Sequence, residues 1–377
     1  VACYLTLYED LFGRYPFPKF AVVENFFPTG YGFPSYTLLG SQVIRLPFII
    51  ETSLGHEVAH SWWGNGVLVD CEKGNWSEGL TTYVADHLSQ ERASPEAARA
   101  YRTRILRNYA TLVSSHEDFP LSEFTGRDSP ASRAVGYGKG AMIFHMTRKL
   151  TGDDGFWQAL QDVYRKRLFQ KASWSDFADV FGARSRTDSQ TFFRQWVDRP
   201  GAPTLRLSHM ETTMEGGAWK VRGSLIQERP FYEMRVPLRI ETETTEMAAS
   251  VLIKDAETNF AFEAASPPRR LVVDPEVDLF RRLHAEELPP DINAIKGSDA
   301  LVAVMAAGHR ERLEEAARML LVGLGRQDLP ILQEDEIDLS HLQGERPAPV
   351  RLSSLQSVAG CSSRKRDRGG RPFHPGR

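Results

Sequence analysis

The chain has 377 residues, 41% of them apolar and 25% charged, with a formal net charge of −3. That length leaves room for two or three domains, each with its own core. The balanced charge gives no global case for a nucleic-acid partner or an anionic membrane, and the apolar run "LPFII" (46–50) is far too short to span a bilayer.

The three cysteines, Cys3, Cys71 and Cys361, lie far apart with no zinc-ribbon spacing, and they hardly constrain the redox compartment. The sequence begins at Val1, without a methionine or a basic-then-apolar leader, and reads as a piece of something longer. No targeting signal can be read from it, so the compartment is left unassigned.

Residues 1 to about 48 carry Pro, Gly and aromatic clusters ("YPFPKF", "FFPTGYGFPSY"), which predict short strands and turns. From Glu51 to Pro200 the periodicity is helical. The pattern predicts one helix over Ile50–Trp63 that ends at Gly64, and another starting near Ser77. A third begins at "SPEAARAYRTRILRNYATL", with Ser94 as N-cap and Pro95 in the first turn. Further helices are expected over Lys139–Leu150, Gly155–Phe169, Ser175–Phe181 and Gln190–Val197.

Residues 203–281 alternate polar and apolar, the mark of a small antiparallel β domain and most simply a sandwich. Beyond Glu286, "ALVAVMAAG", "HRERLEEAARMLLVGLG" and "DLPILQ" read as strand, helix, strand, the possible start of an α/β unit. The Ser/Arg/Gly/Pro-rich stretch 345–377 reads as a disordered basic tail, more simply a solvated terminus than a nucleic-acid arm.

Within "SLGHEVAHSWWGNG", His56 and His60 stand four residues apart and share one face of a helix. Two neutral imidazoles so placed can take two corners of a zinc site, and the adjacent Glu57 can reach a metal-bound water without being a ligand. Zinc lowers the pKa of that water toward about 7, and a nearby carboxylate can take its proton. A histidine on an apolar helix face is otherwise a hydrogen-bonded core residue. In "NWSEGLTTYVADHL", Glu78 opens the next helix, with Asn75 or Ser77 as cap. An acidic residue there serves the helix terminus in any case, but a loop between two helices would also deliver it as a third ligand.

H-E-x-x-H, then "WGN", then a tryptophan-flanked "SEGLTTY" resembles the gluzincin aminopeptidases of the aminopeptidase N group. The resemblance implies His56, His60 and Glu78 as ligands of one zinc ion per chain, with Glu57 as general base. Seventeen residues separate His60 from Glu78, one fewer than is usual there, a difference that the loop 66–74 can absorb. "GYGKGA" resembles the family's Y-x-K-G, which implies Tyr137 as the donor to the oxyanion; by itself it would read as a core tyrosine at a helix start. Lys139 is expected to be structural or on the surface. His87 and His145 read as structural, and Trp62–Trp63 and "AMIFHM" as core.

The resemblance extends over about Leu5 to Leu283 and implies a multidomain α+β fold. Its parts are a mainly helical, thermolysin-like peptidase domain (1–200) and an antiparallel β-sandwich (201–284); beyond Glu286 there is no match, and the pattern alone gives the possible start of an α/β unit (285–344) and the disordered basic tail (345–377). The resemblance also implies a peptide or protein substrate, while charge and apolar-run length lead to the expectation of no nucleic-acid partner and no membrane segment in this chain.

One family element is altered. In place of G-x-M-E-N, whose glutamate holds the substrate's α-amino group, this chain has "GYGFPSY". Gly30, Tyr31 and Gly32 are still expected to line the substrate, because glycines let peptide backbones approach. The expected activity is a zinc-dependent metallopeptidase, an aminopeptidase by resemblance. The alternatives are an endopeptidase of altered specificity and a non-catalytic peptide-binding scaffold.

Overall fold

The computed structural model describes residues 1–27, 30–47, 49, 53–185, 188–289, 302–305, 310–327 and 329–333. The contacts divide the chain into two units, Val1–Asn293 and Ala294–Arg377. The predicted tail, 345–377, lies outside the described residues.

The first unit opens with helix α1 (Ala2–Phe12), where the Pro/Gly-rich composition predicted strands and turns. The prolines and glycines start only at Gly13, and before them Tyr4, Tyr8 and Phe12 recur every four residues. Their rings stack along one side, with centroids 5.9 and 5.5 Å apart. Tyr8 and Phe12 are buried against Trp62, whose indole N–H donates to Gly13 O at 2.8 Å. Next comes a three-stranded sheet of β1 (Ala21–Asn25), β2 (Gly30–Phe33) and β3 (Tyr36–Gly40), in the order β1-β3-β2. β2 is therefore an edge strand, antiparallel to β3 alone.

Helix α2 (Ser53–Ala59) is shorter than predicted, although His60 N still bonds His56 O at 3.2 Å. A small parallel sheet joins β4 (Trp63–Gly64), β5 (Val67–Val69) and β6 (Lys171–Ala172). Helix α3 (Ser77–Thr81) runs through a π-helical turn (Thr82–His87) into α4 (Leu88–Ala93). Asn75 Oδ1 accepts from Ser77 N at its start.

Helix α5 (Pro95–Leu112) is capped as predicted, with Ser94 Oγ accepting from Ala97 N. The short α6 (Pro130–Arg133) leads into a second π-helical turn (Ala134–Lys139), then α7 (Gly140–Thr151), α8 (Asp153–Arg167), α9 (Trp174–Gly182) and α10 (Ser189–Val197). No helix among the described residues is long and apolar enough to cross a membrane.

Helices α3 and α7 touch through two glycines. A Cβ built on Gly79 would lie 2.7 Å from Gly140 Cα, a distance that only a missing side chain allows. Gly79 follows Glu78, and Gly140 follows the turn that carries Tyr137, so this contact sets the two residues relative to each other. Overpacking of this kind costs about 1–3 kcal/mol, so Gly79→Ala is expected to lower the unfolding midpoint and to weaken metal retention together. Denaturant titration with and without added zinc checks both.

From Leu205 the chain forms six strands: β7 (Leu205–Glu215), β8 (Ala218–Gln227), β9 (Met234–Thr242), β10 (Glu246–Ile253), β11 (Glu257–Ala264) and β12 (Pro268–Val273). They make two antiparallel sheets, β11-β8-β7 and β10-β9-β12. Polar side chains of the helical part bind this region's backbone. Lys139, one of the most deeply buried side chains, donates to Arg199 O (2.7 Å) and Gly201 O (3.2 Å). That excludes a surface role for it. Burial pulls its ammonium down to about 8.

Arg102 donates to the Val277 and Glu276 carbonyls at 2.9 and 2.8 Å. The second unit holds a parallel pair, β13 (Ala303–Met305) and β14 (Ile331–Gln333), joined through helix α11 (Arg310–Gly323), as its strand-helix-strand pattern predicts.

Candidate active site

Helix α2 and the turn after it present His56 and His60 on one side, and the start of α3 brings Glu78 against both. The two Nε2 atoms lie 3.5 and 3.4 Å from Glu78 Oε2. One ligand atom from each of the three residues falls within 4.8 Å of the others.

The opposite ring nitrogens are held. His60 Nδ1 is 3.0 Å from Trp63 O, and Ser77 Oγ donates to the same carbonyl at 2.8 Å. A carbonyl can only accept, so Nδ1 of His60 carries the proton and Nε2 is left with a lone pair. His56 Nδ1 is 3.2 Å from Asp86 Oδ2, which fixes that ring in the same sense. Two imidazole lone pairs and a carboxylate oxygen thus converge on one point.

That donor set fits a zinc ion: nitrogen and oxygen donors, three protein ligands, and second partners that set both tautomers. The loop one residue short does not displace Glu78. Part of it is drawn into β5, and Gly74, with φ of 91°, turns the chain back toward α3.

The electrostatics point the same way. Burial pulls His56 down, but Asp86 and then Glu78 outweigh it and leave the imidazole well above its ordinary value. His60 is raised for the same reason, chiefly by Glu78. Burial would push Glu78 up, yet the two imidazoles hold its carboxyl far below the usual carboxylate range. The cluster attracts positive charge, and protons compete with a metal for it as pH falls. Burial raises Glu57 against the pull of His60 and His56, which moves this carboxylate toward the pKa of a useful base.

The edge strand β2 lies over Glu57. A Cβ at Gly30 would meet Glu57 Oε1 at 2.8 Å, and one at Gly32 would meet His60 Cβ at 3.0 Å and Glu57 Oε2 at 3.2 Å. Both glycines therefore belong to the site. Tyr31, between them, turns to the other face, where it is 47% exposed. Strand alternation separates it from its neighbours.

Tyr137 sits in the second π-helical turn, its ring nearly parallel to that of His56 with centroids 6.4 Å apart. Burial and the nearby Glu78 raise its hydroxyl far above the ordinary value, so it stays protonated and able to donate.

Asp86 was not found by sequence reasoning. On a straight α-helix, a residue eight positions after Glu78 would be rotated from it by about 80°. The π-helical turn at Thr82–His87 removes part of that twist, and Asp86 meets the same imidazole as Glu78. Replacing Asp86 by Asn is expected to weaken zinc binding by about 10–100-fold, readable by competition with a chelating dye.

His87 and His145 hold no metal geometry but do meet, with ring centroids 5.5 Å apart. Arg102 Nη1 is 2.7 Å from His87 Nε2, and His145 Nε2 is 2.9 Å from Asp278 Oδ1. Burial depresses both imidazoles, His87 to about 2. They tie the π-helical turn before α4, and α7, to the strand-linked segment 276–278.

Residues 49–196, which include both histidines, Glu57, Glu78 and Tyr137, match the peptidase family M1 domain. Over this region the chain is similar to aminopeptidases. The chain is 26% identical to mitochondrial aminopeptidase 2 of Saccharomyces cerevisiae over 223 residues, 54% of this chain and 23% of the relative. It is 23% identical to aminopeptidase N of Lactobacillus delbrueckii subsp. lactis over 220 residues, 53% of this chain and 26% of that protein. It spans about a quarter of the length of these relatives. In fold it is similar to the crystal structure of Legionella pneumophila aminopeptidase A in complex with aspartic acid. The TM-score is 0.56 at 15% identity, covering 78% of this chain and 35% of that chain.

Proposed function

We propose that the chain is a zinc-dependent metallopeptidase that releases residues from the amino end of peptides. The observation that carries this reading is the convergence of His56 Nε2, His60 Nε2 and Glu78 Oε2, with Glu57 beside them under a glycine-bearing edge strand. His56, His60 and Glu78 would hold the ion, and Asp86 and the Trp63 carbonyl would orient the imidazoles. Bound there, zinc supplies a Lewis acid that polarises a carbonyl and lowers the pKa of water toward about 7.

Glu57 takes the proton from the attacking water and returns it to the leaving nitrogen, a role its raised pKa favours. Tyr137 donates its hydroxyl hydrogen to the carbonyl oxygen as negative charge develops. Gly30 and Gly32 keep the space above Glu57 free of side chains, so that a peptide backbone can reach it. In this reading 1–200 form a thermolysin-like catalytic domain, 201–284 a β-sandwich, and 285–344 the start of an α/β unit.

One observation favours a second reading, internal cleavage. Both inward positions of β2 are glycine, so this strand offers no carboxylate to an incoming α-amino group. A free-amine aminoacyl amide and an N-acetylated, internally quenched peptide separate the two. Cleavage of the first alone supports the aminopeptidase, and cleavage of the blocked peptide supports the endopeptidase. Cleavage of neither by the zinc-loaded protein would leave only a peptide-binding scaffold.

A further inference from the structure

The outward face of α5 bears a cavity of about 570 Å³ lined by Gln90, Tyr101, Arg104, Arg107 and Asn108, with two alanines and no acidic side chain. Arg104 lies over the Tyr101 ring, 4.6 Å from its centroid. Arg107 has a buried Nε without a hydrogen-bond partner. Two more arginines stand near Tyr137. Arg133 lies 5.9 Å from the Tyr137 ring centroid, and Arg127 and Arg133 both act on its hydroxyl.

Neighbouring arginines are paired: Arg99 with Glu276, Arg102 with Asp278, and Arg148 with Glu91. Arg104, Arg107, Arg127 and Arg133 have no ion-pair partner among the described residues. Arg104 and Arg107 line one cavity with no acidic side chain in its wall, and a low-dielectric wall sharpens their field toward an anion.

The Tyr101 ring is 6.0 Å from that of His87, the residue after Asp86, whose carboxylate is engaged with His56. We propose that this arginine-lined cavity binds a carboxylate of the peptide substrate, so that the enzyme favours peptides carrying negative charge beyond the scissile bond. Guanidinium forks match carboxylates in geometry as well as charge. The inference rests on the peptidase reading, and it offers the chain a charge to recognise where β2 lacks one for the amine.

The test compares kcat/KM within two pairs of otherwise identical peptides. One pair differs in a free or amidated C-terminus, the other in Glu or Gln after the scissile bond with the C-terminus amidated. The anionic member is expected to be favoured by about ten-fold or more in at least one pair; the pair that responds identifies the source of the carboxylate. The ratio should fall toward one in the Arg104→Gln/Arg107→Gln double variant, and also as salt rises from about 0.05 to about 0.5 M.

Equal rates in both pairs, or a preference that survives the double variant, would overturn the proposal. If no peptide is cut, anisotropy of the same peptides labelled with fluorescein, on zinc-loaded Glu57→Gln protein, decides separately. Tighter binding of the anionic peptide keeps the site while the peptidase reading falls, and equal binding removes both.

Discussion

Glu57→Gln is expected to lower kcat/KM by about a thousand-fold, within the range that general acid–base catalysis contributes, while zinc content stays at the wild-type value. The substitution keeps the shape of the side chain but removes its capacity to take a proton. Glu57 is not among the ligand atoms that converge, so metal binding does not depend on it. Its carboxylate is packed under Gly30 and Gly32, and burial already raises its pKa. An amide in that place remains packed. Activity should therefore fail without loss of the melting temperature, a separation that a general structural defect would not give.

Tyr137→Phe is expected to reduce kcat by about 10²–10³-fold with little change in KM, the loss associated with removing one oxyanion donor. The ring would stay where it is, beside His56 and 6.1 Å from the Phe124 centroid, so the packing of the π-helical turn survives. Only the donor is removed. Steady-state kinetics on the full chain check the split, since a change in KM with kcat intact would assign Tyr137 to packing.

The candidate metal cluster was legible because ligand chemistry calls for particular residue types at short spacings. His56 and His60 share a helix face at i and i+4, and Glu78 opens the next helix with Asn75 ahead of it. The partners of those ligands were not legible. Asp86 stands eight residues beyond Glu78 and reaches His56 only through a π-helical turn, which no α-helical periodicity anticipates. The Trp63 carbonyl is backbone, and its role depends on the chain turning back after α2.

Helix α1 was hidden because the prolines and glycines beyond it dominated the composition, while its own signal, Tyr4, Tyr8 and Phe12, is local. Gly79 and Gly140 are visible as letters in "SEGL" and "GKGA", but that they touch is a property of two helices crossing. Lys139 was open between structural and surface roles for a similar reason. Its acceptors, Arg199 O and Gly201 O, are backbone atoms about sixty positions away.

The most direct measurement is zinc content together with activity through a cycle of chelation and readdition, on wild type and Glu78→Ala. The wild type should carry one zinc per chain, lose activity when the ion is stripped and regain it at one equivalent, and Glu78→Ala should retain neither metal nor activity. A stripped protein that still hydrolyses peptides, or a Glu78→Ala protein with full zinc and full activity, would contradict the assignment of His56, His60 and Glu78 as the catalytic metal centre.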